Sequence, residues 1–160
     1  KFTNYCVVAW LIVVSPVVMA ASEQQNDEAL CLAYTQQGDN YKTGHKNIHC
    51  IFAANLGIGS AQYAVGMGYG FEGDHALEEK YYRLAADNRV VAAYLALGHV
   101  LAEKAPYEAI YWYQRSVCAN GKHDGYAAIL ISKIFAALGN EGQATYWREV
   151  CKNSQYKYCN

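Results

Sequence analysis

The chain has 160 residues and a formal charge of −1, and lysine and arginine do not cluster on any predicted face. This charge balance excludes an electrostatic surface for nucleic acid or for an anionic membrane. The length is sufficient for one domain. Tyrosine, with 15 residues, is more abundant than the core or the solubility of a small helical protein requires.

The first 21 residues have the pattern of a cleaved export signal. Lys1 supplies positive charge, residues 5–14 form an apolar run, Pro16 interrupts it, and residues 18–20 offer small side chains at a cleavage site. A membrane anchor is the alternative, but the run is shorter than the roughly 20 residues that span a bilayer. We expect a signal peptide over residues 1–21 and a periplasmic or secreted mature protein.

Export favours disulfide bonds among the five cysteines that follow the signal. Residues 24–37 and 44–55 are predicted to be helices joined by a polar turn at residues 38–40. Cys31 and Cys50 lie at nearly equal distances from that turn, so an antiparallel hairpin brings them within bridging reach. Such a bridge closes a loop of about 20 residues and is expected to stabilise the fold by roughly 3 kcal/mol.

The other three cysteines allow two pairings. Cys151 lies near the end of the last predicted helix and Cys159 follows eight positions later, so a bridge between them would fasten the C-terminal tail to that helix. Cys118 would then remain unpaired, as a small buried residue. Pairing of Cys118 with Cys159 is the alternative.

Two strings recur with a period of 32 to 33 residues. The first occurs as YYRLAA at 81–86, YQRSVC at 113–118 and YWREVC at 146–151. The second occurs, in that register, as AQYAVG at 61–66, AYLALG at 93–98 and YAAILI at 126–131. Two amphipathic helices per period are typical of an α-solenoid, in which each helix pair buries its apolar face against its neighbours. We predict one all-α domain over residues 22–160, a superhelix of about four antiparallel helix pairs at approximately 24–55, 58–87, 89–119 and 123–152.

Residues 66–86 combine an Ala-x-x-x-Leu-Gly-like string, a Gly-x-Gly hairpin loop and an aromatic-Tyr-x-x-Ala-Ala helix. This sequence resembles the Sel-one-like repeat family, a relative of the tetratricopeptide repeats, over residues 28–152. The resemblance implies a right-handed superhelix whose first helices line a concave face, and a role as an adaptor or inhibitor. Some exported bacterial members act as immunity proteins against a type VI secretion effector. The last repeat departs from the family pattern, with Ile131 in the register position of the glycine. The spacing of Cys151 and Cys159 is similar to the within-repeat cystine of exported members.

Three features suggest enzymatic chemistry but lack the context that it needs. Residues 68–73 match G-x-G-x-x-G, yet they follow a helix rather than a strand. Residues 42–44 (KTG) and 154–157 (SQYK) resemble two penicillin-recognising motifs, in reversed order and without the third. His45 and His49 lie one helical turn apart without a third ligand, so we expect two polar residues on the outer face of the second helix. We predict no catalytic residue, no metal and no cofactor.

Tyrosines on the first helices are better candidates for a binding surface, because tyrosine combines a large contact area with a polar tip. Packing within the core is the alternative role for them. We predict that the concave face binds another protein through Tyr63, Met67, Tyr69, Tyr94, His99 and Tyr126. The expected function is a non-enzymatic protein-binding module, in its specific form an immunity or inhibitor protein that neutralises a secreted effector. A weak cell-wall or β-lactam hydrolase and a general periplasmic adaptor are the alternatives.

Overall fold

A computed structural model describes residues 16–120 and 125–154, with side chains from residue 25 onward except residue 120. Within these ranges the chain is helical and contains no strand. The helices, in chain order, are α1 (Pro16–Thr35), a 3-10 helix (Asn40–Lys46), α2 (Ile48–Asn55), α3 (Gly59–Glu72), α4 (His75–Asp87), α5 (Val91–Leu101), α6 (Pro106–Asn120), α7 (Gly125–Ala137) and α8 (Glu141–Asn153).

The helices pack as four consecutive pairs, α1 with α2, α3 with α4, α5 with α6 and α7 with α8. Contacts of α2 with α3, α4 with α5 and α6 with α7 join each pair to the next. Short connections make neighbouring helices antiparallel, and the buried side chains form three clusters that follow one another along the stack. The fold is therefore the all-α solenoid of helix pairs that the period predicts.

Most of the predicted signal peptide lies outside the described residues, since the description begins at Pro16. Helix α1 starts there and continues through the expected cleavage region. None of the helices in the described part of the chain combines the length and the apolar character needed to cross a bilayer.

Local sequence signals set several helix ends. The side chains of Asn47, Asp74 and Asn140 each accept a hydrogen bond from the backbone N–H three residues later, which caps α2, α4 and α8. Gly73 and Gly139 follow the ends of α3 and α7 with φ of 82° and 73°, a left-handed conformation that glycine adopts without a steric penalty.

The first helix pair differs from the prediction of one continuous helix over residues 44–55. A 3-10 helix covers Asn40–Lys46, Asn47 is extended, and α2 begins at Ile48. The 3-10 helix packs closely on α3 at Gly44, where a side chain would not fit. A Cβ on Gly44 would lie 2.6 Å from the backbone oxygen of Ala64. Contact with the next helix pair thus accompanies an interruption that periodicity alone did not indicate.

The predicted bridge between Cys31 and Cys50 is confirmed. The two cysteines are disulfide-bonded with Cα atoms 4.6 Å apart, and both are fully buried in the core of the first pair. Cys151 is also disulfide-bonded, but Cys159 lies outside the described residues, so that pairing stays a prediction. Cys118 carries a free thiol and is exposed, so the expectation that it is buried was wrong.

The positions of α4 and α6 that face the core explain why Cys118 is exposed. A Cβ on Gly66 would lie 2.8 Å from the ring of Tyr82, and a Cβ on Gly98 would lie 2.2 Å from the ring of Tyr113. Tyr113 therefore corresponds to Tyr82, whereas the recurring strings had aligned it with Tyr81. This shift of one residue places Cys118 after the inward-facing positions of its helix.

In α7, the first helix of the last pair, the repeat register is also shifted by one residue from the alignment of the recurring strings. Ala61, Ala93 and Ala127 are each fully buried, so Ala127 takes the position that the sequence register had assigned to Tyr126. Ser132, 2% exposed, then takes the position of the repeat glycine, which the same register had assigned to Ile131. Because it precedes the buried alanine, Tyr126 lies at an exposed position.

Candidate functional site

A cleft of about 310 Å³ lies between α3, α4 and α5 and is termed here the α3–α5 cleft. Helix α5 contributes four of its residues at spacings of three, four and seven, which is one face of a helix. Helix α4 contributes two residues one turn apart. The lining residues are Tyr63, Glu78, Tyr82, Ala92, Leu95, Ala96 and His99.

Two tyrosines form the aromatic side of the cleft. The ring centroids of Tyr63 and Tyr82 are 5.4 Å apart, and the rings are tilted by 31°. Burial raises the pKa of both phenols, and the nearby Tyr63 and Glu78 raise that of Tyr82 further. Both hydroxyls therefore stay protonated at physiological pH, so they serve as hydrogen-bonding groups and apolar surface rather than as bases.

Glu78 supplies the carboxylate of the cleft. Its side chain is only 14% exposed, and its Oε2 lies 2.8 Å from Nδ1 of His75. The carboxylate lies against α3 at Gly70, where a Cβ would be 2.4 Å from Oε1. Gly70 lies inside α3 rather than in a hairpin loop, and its missing side chain leaves room for Glu78.

Three of the six predicted binding residues lie on one surface. Tyr63 and His99 line the cleft, and the ring centroid of Tyr126 on α7 is 5.9 Å from that of His99. Tyr126 is 38% exposed and extends this surface beyond the cleft. The pKa of His99 is lowered by burial, and its Nδ1 lies 3.2 Å from the hydroxyl of Tyr113. The neutral form of this imidazole is therefore favoured.

The other three predicted residues do not line the cleft. Tyr94 is 5% exposed and stacks on Trp112 of α6, with the guanidinium of Arg115 at 4.9 Å from the ring centroid of Tyr94. Tyr69 packs against the 3-10 helix and α4, and Met67 packs partly buried against the main core. In the described structure, these three side chains pack between helices.

Sequence reasoning did not find Glu78, Tyr82, Ala92, Leu95 or Ala96. The face of α5 was readable as spacings of three and four residues, but two alanines gave it the composition of an ordinary packing face. Glu78 had no signal of its own, because a glutamate in the first turn of a helix is common on electrostatic grounds alone.

His45 and His49 do not share the outer face predicted for them. His45 is 7% exposed, and its Nε2 lies 2.9 Å from Oε2 of Glu72, off the direction of a hydrogen bond. His49 pairs through Nδ1 with Asp27 on α1, at 2.7 Å. The expectation was wrong for His45, because it belongs to the 3-10 helix and packs over Gly68 of α3. No group of three His, Cys, Asp or Glu side chains in the described ranges could hold a metal ion.

The motifs that suggested enzymes lie in unrelated places. Gly68 and Gly73 belong to the last turns and the end of α3, with no strand before them. The Oγ1 of Thr43 in the KTG string is hydrogen-bonded to the hydroxyl of Tyr34 at 2.8 Å. Ser154 follows α8, with α3 to α7 between it and Thr43 in the stack, and Lys157 lies outside the described residues. The described part of these strings does not form one site.

The fold and the cleft define the class of this protein as an all-α solenoid of helix pairs with an aromatic cleft between successive pairs. No protein-family model matches the chain, and no curated protein sequence matches it.

Proposed function

We propose that the chain is a non-enzymatic protein-binding module whose partner docks on the α3–α5 cleft and on Tyr126 beyond it. The observation that carries the proposal is the continuity of aromatic surface from Tyr63 through His99 to Tyr126, contributed by three first helices. Stacked helical repeats use extended surfaces of this kind to bind other macromolecules. Aromatic side chains contribute large contact areas at low rotamer cost, which makes them frequent binding hot spots.

The packing of the first helix pair supports docking without refolding. The Cys31–Cys50 disulfide and the close approach of Gly44 to α3 leave this end of the stack little freedom to rearrange. A preorganised surface loses less conformational entropy on association. The partner therefore meets a preformed surface on the α3 side of the cleft.

In its specific form, the proposed module is an immunity or inhibitor protein of the periplasm or exported space that neutralises a secreted effector. Its resemblance to exported Sel-one-like repeat proteins supports this role, as does the export signal predicted at residues 1–21. A disulfide between buried cysteines is also typical of an oxidising compartment. A general periplasmic adaptor would use the same surface but would not protect cells from a toxin.

The test is affinity capture of the partner from the source cells with three forms of the chain. Ala92 is exposed and lines the cleft, so Ala92→Trp fills the cleft without disturbing the core. Ala76 on α4 is exposed and lines a different groove, so Ala76→Trp is the matched control. We expect Ala92→Trp to reduce capture at least about tenfold, a loss of about 1.4 kcal/mol, and Ala76→Trp to leave it unchanged. Equal capture by all three forms would rule out the cleft as the docking surface.

Two further experiments separate the specific roles. Co-production of the captured partner and the chain in the source compartment should restore growth with the wild type but not with Ala92→Trp if the partner is a toxin. A partner that leaves growth unaffected would favour the adaptor. Covalent labelling of the chain by a fluorescent penicillin at a serine would contradict the non-enzymatic function and favour the hydrolase.

A further inference from the structure

The carboxylate of Glu78 lacks the lysine or arginine partner that Glu79 and Glu108 have. Glu79 pairs with Lys104 and Arg83, and Glu108 also pairs with Arg83. Glu78 pairs with His75, and among the described residues no lysine or arginine forms an ion pair with it. The side chain is only 14% exposed, so the carboxylate is largely shielded from water. Removing a carboxylate from water in this way is unfavourable unless a cation joins it.

The surroundings of Glu78 suit the side chain of a basic residue. Tyr63 and Tyr82 lie beside it, and aromatic rings attract ammonium and guanidinium groups through their negative faces. The opposite wall is apolar, with Leu95 and Ala96, which can cover the methylene stem of a lysine or arginine. The cleft therefore offers a counter-charge, an aromatic side and an apolar side at once.

We infer that the α3–α5 cleft receives a lysine or arginine side chain of the partner, with Glu78 as the counter-charge and Tyr63 and Tyr82 as the aromatic side. A protein segment fits better than a free cation, because the surface continues from His99 to Tyr126 and provides a path for residues flanking the basic one. This inference rests on the proposed protein-binding function.

The test is an NMR titration of the full chain with the capped tripeptide acetyl-Gly-Arg-Gly-amide, followed through the methyl groups of Ala92 and Ala96. The matched probe has norleucine in place of arginine, which keeps the stem and removes the charge. We expect saturable shifts with a Kd in the millimolar range for the arginine peptide. Shifts of equal size with the norleucine peptide, or no saturable shift with either, would overturn the inference.

Variants on α4 locate the binding to one carboxylate. Glu78→Gln keeps the shape of the side chain and should weaken the arginine peptide at least about fivefold, whereas Glu79→Gln, one position away and outside the cleft, should not. His75→Ala removes the competing partner at a 73% exposed position. It should leave binding as tight or tighter, which gives a second measurement if Glu78→Gln is unfolded. Unchanged binding by folded Glu78→Gln, or loss of binding in His75→Ala, would refute the assignment.

The peptide titration tests the cation site, and the capture experiment tests the proposed function, so their outcomes can be distinguished. If Ala92→Trp loses the partner while the arginine peptide does not bind, the proposed function stands and the cation site is wrong. If the arginine peptide binds but Ala92→Trp captures the partner normally, the cleft is a site for a free cation, and the inference of a partner side chain is overturned.

Discussion

Gly98 provides the sharpest test of how the helix pairs pack. It lies inside α5 against the ring of Tyr113 on α6, and an added Cβ would lie 2.2 Å from Cε1, 2.4 Å from Cδ1 and 2.7 Å from Cζ. Tyr113 is 1% exposed, so its ring is enclosed by the core. Alanine is favoured over glycine inside a helix by about 0.5–1 kcal/mol, but overpacking a core costs about 1–3 kcal/mol. We expect Gly98→Ala to lower the free energy of unfolding by about 0.5–2 kcal/mol.

Urea unfolding followed by circular dichroism measures this change, provided that the slope with urea stays constant. Gly142→Ala in α8 is the matched control, because the atom nearest to its added Cβ is Oδ1 of Asn140 at 3.9 Å. The control removes a helical glycine without a clash and should raise the free energy of unfolding by about 0.4–1 kcal/mol. The two substitutions are chemically identical, so opposite signs isolate the contact with Tyr113.

A double-mutant cycle identifies the ring as the cause. In the background of Tyr113→Leu, the penalty for Gly98→Ala should shrink to zero or become a gain, because the overlapping ring atoms are gone. If Gly98→Ala is as stable as the wild type, or remains equally costly in the Tyr113→Leu background, the assignment of Tyr113 to the glycine position of its repeat is wrong.

Three other predictions concern the cysteines and one ion pair. The double variant Cys31→Ser/Cys50→Ser opens a loop whose ends are 19 positions apart and should lose about 3 kcal/mol of stability in urea unfolding, whereas an unchanged midpoint would contradict a stabilising bridge. Peptide mapping of unreduced, folded protein should show a maleimide adduct at the exposed Cys118 but not at Cys31 or Cys50, and protection of Cys118 would contradict its free, exposed thiol. The hydrogen bond from Lys104 lowers the pKa of Glu79 in the folded protein. The pair therefore stabilises the fold fully at a pH above the pKa that Glu79 has in the unfolded chain. This stabilisation is lost as the pH falls through the lower pKa of Glu79 in the folded protein. Glu79→Gln should therefore show a flatter acid decline in stability, by about 0.5 kcal/mol because the pair is partly exposed, and identical pH profiles would exclude this contribution.

Short-range signals in the sequence were sufficient for the architecture. The period of two amphipathic helices identified the solenoid, because each pair can bury its apolar face only against a neighbour. Asp74 and Asn140 cap the helices that begin immediately after them, since capping depends on a few adjacent residues. Cys31 and Cys50 were paired correctly, because they lie at nearly equal distances from the loop that joins the two helices of the hairpin. Residues at equal distances from such a loop lie beside each other.

Rotation of the helices about their axes was not readable from the same signals. Adjacent residues such as Tyr81 and Tyr82 both fit the pattern, and only the contact with Gly66 shows that Tyr82 occupies the position repeated by Tyr113. The same uncertainty of one residue explains the misplaced burial of Cys118 and the alignment of Tyr126 with the buried Ala61 and Ala93.

The amino-acid sequence by itself thus determined the helix pairs, their order and one disulfide, because these depend on periodicity and on neighbouring residues. The tertiary structure decided the cleft, because Glu78 is accommodated by the absence of a side chain at Gly70 on another helix. It likewise decided the burial of His45, which depends on Gly68 more than twenty positions away. Such close approaches between glycine and a distant side chain set how each helix turns toward its neighbour, and that rotation selects which residues face one another across the cleft.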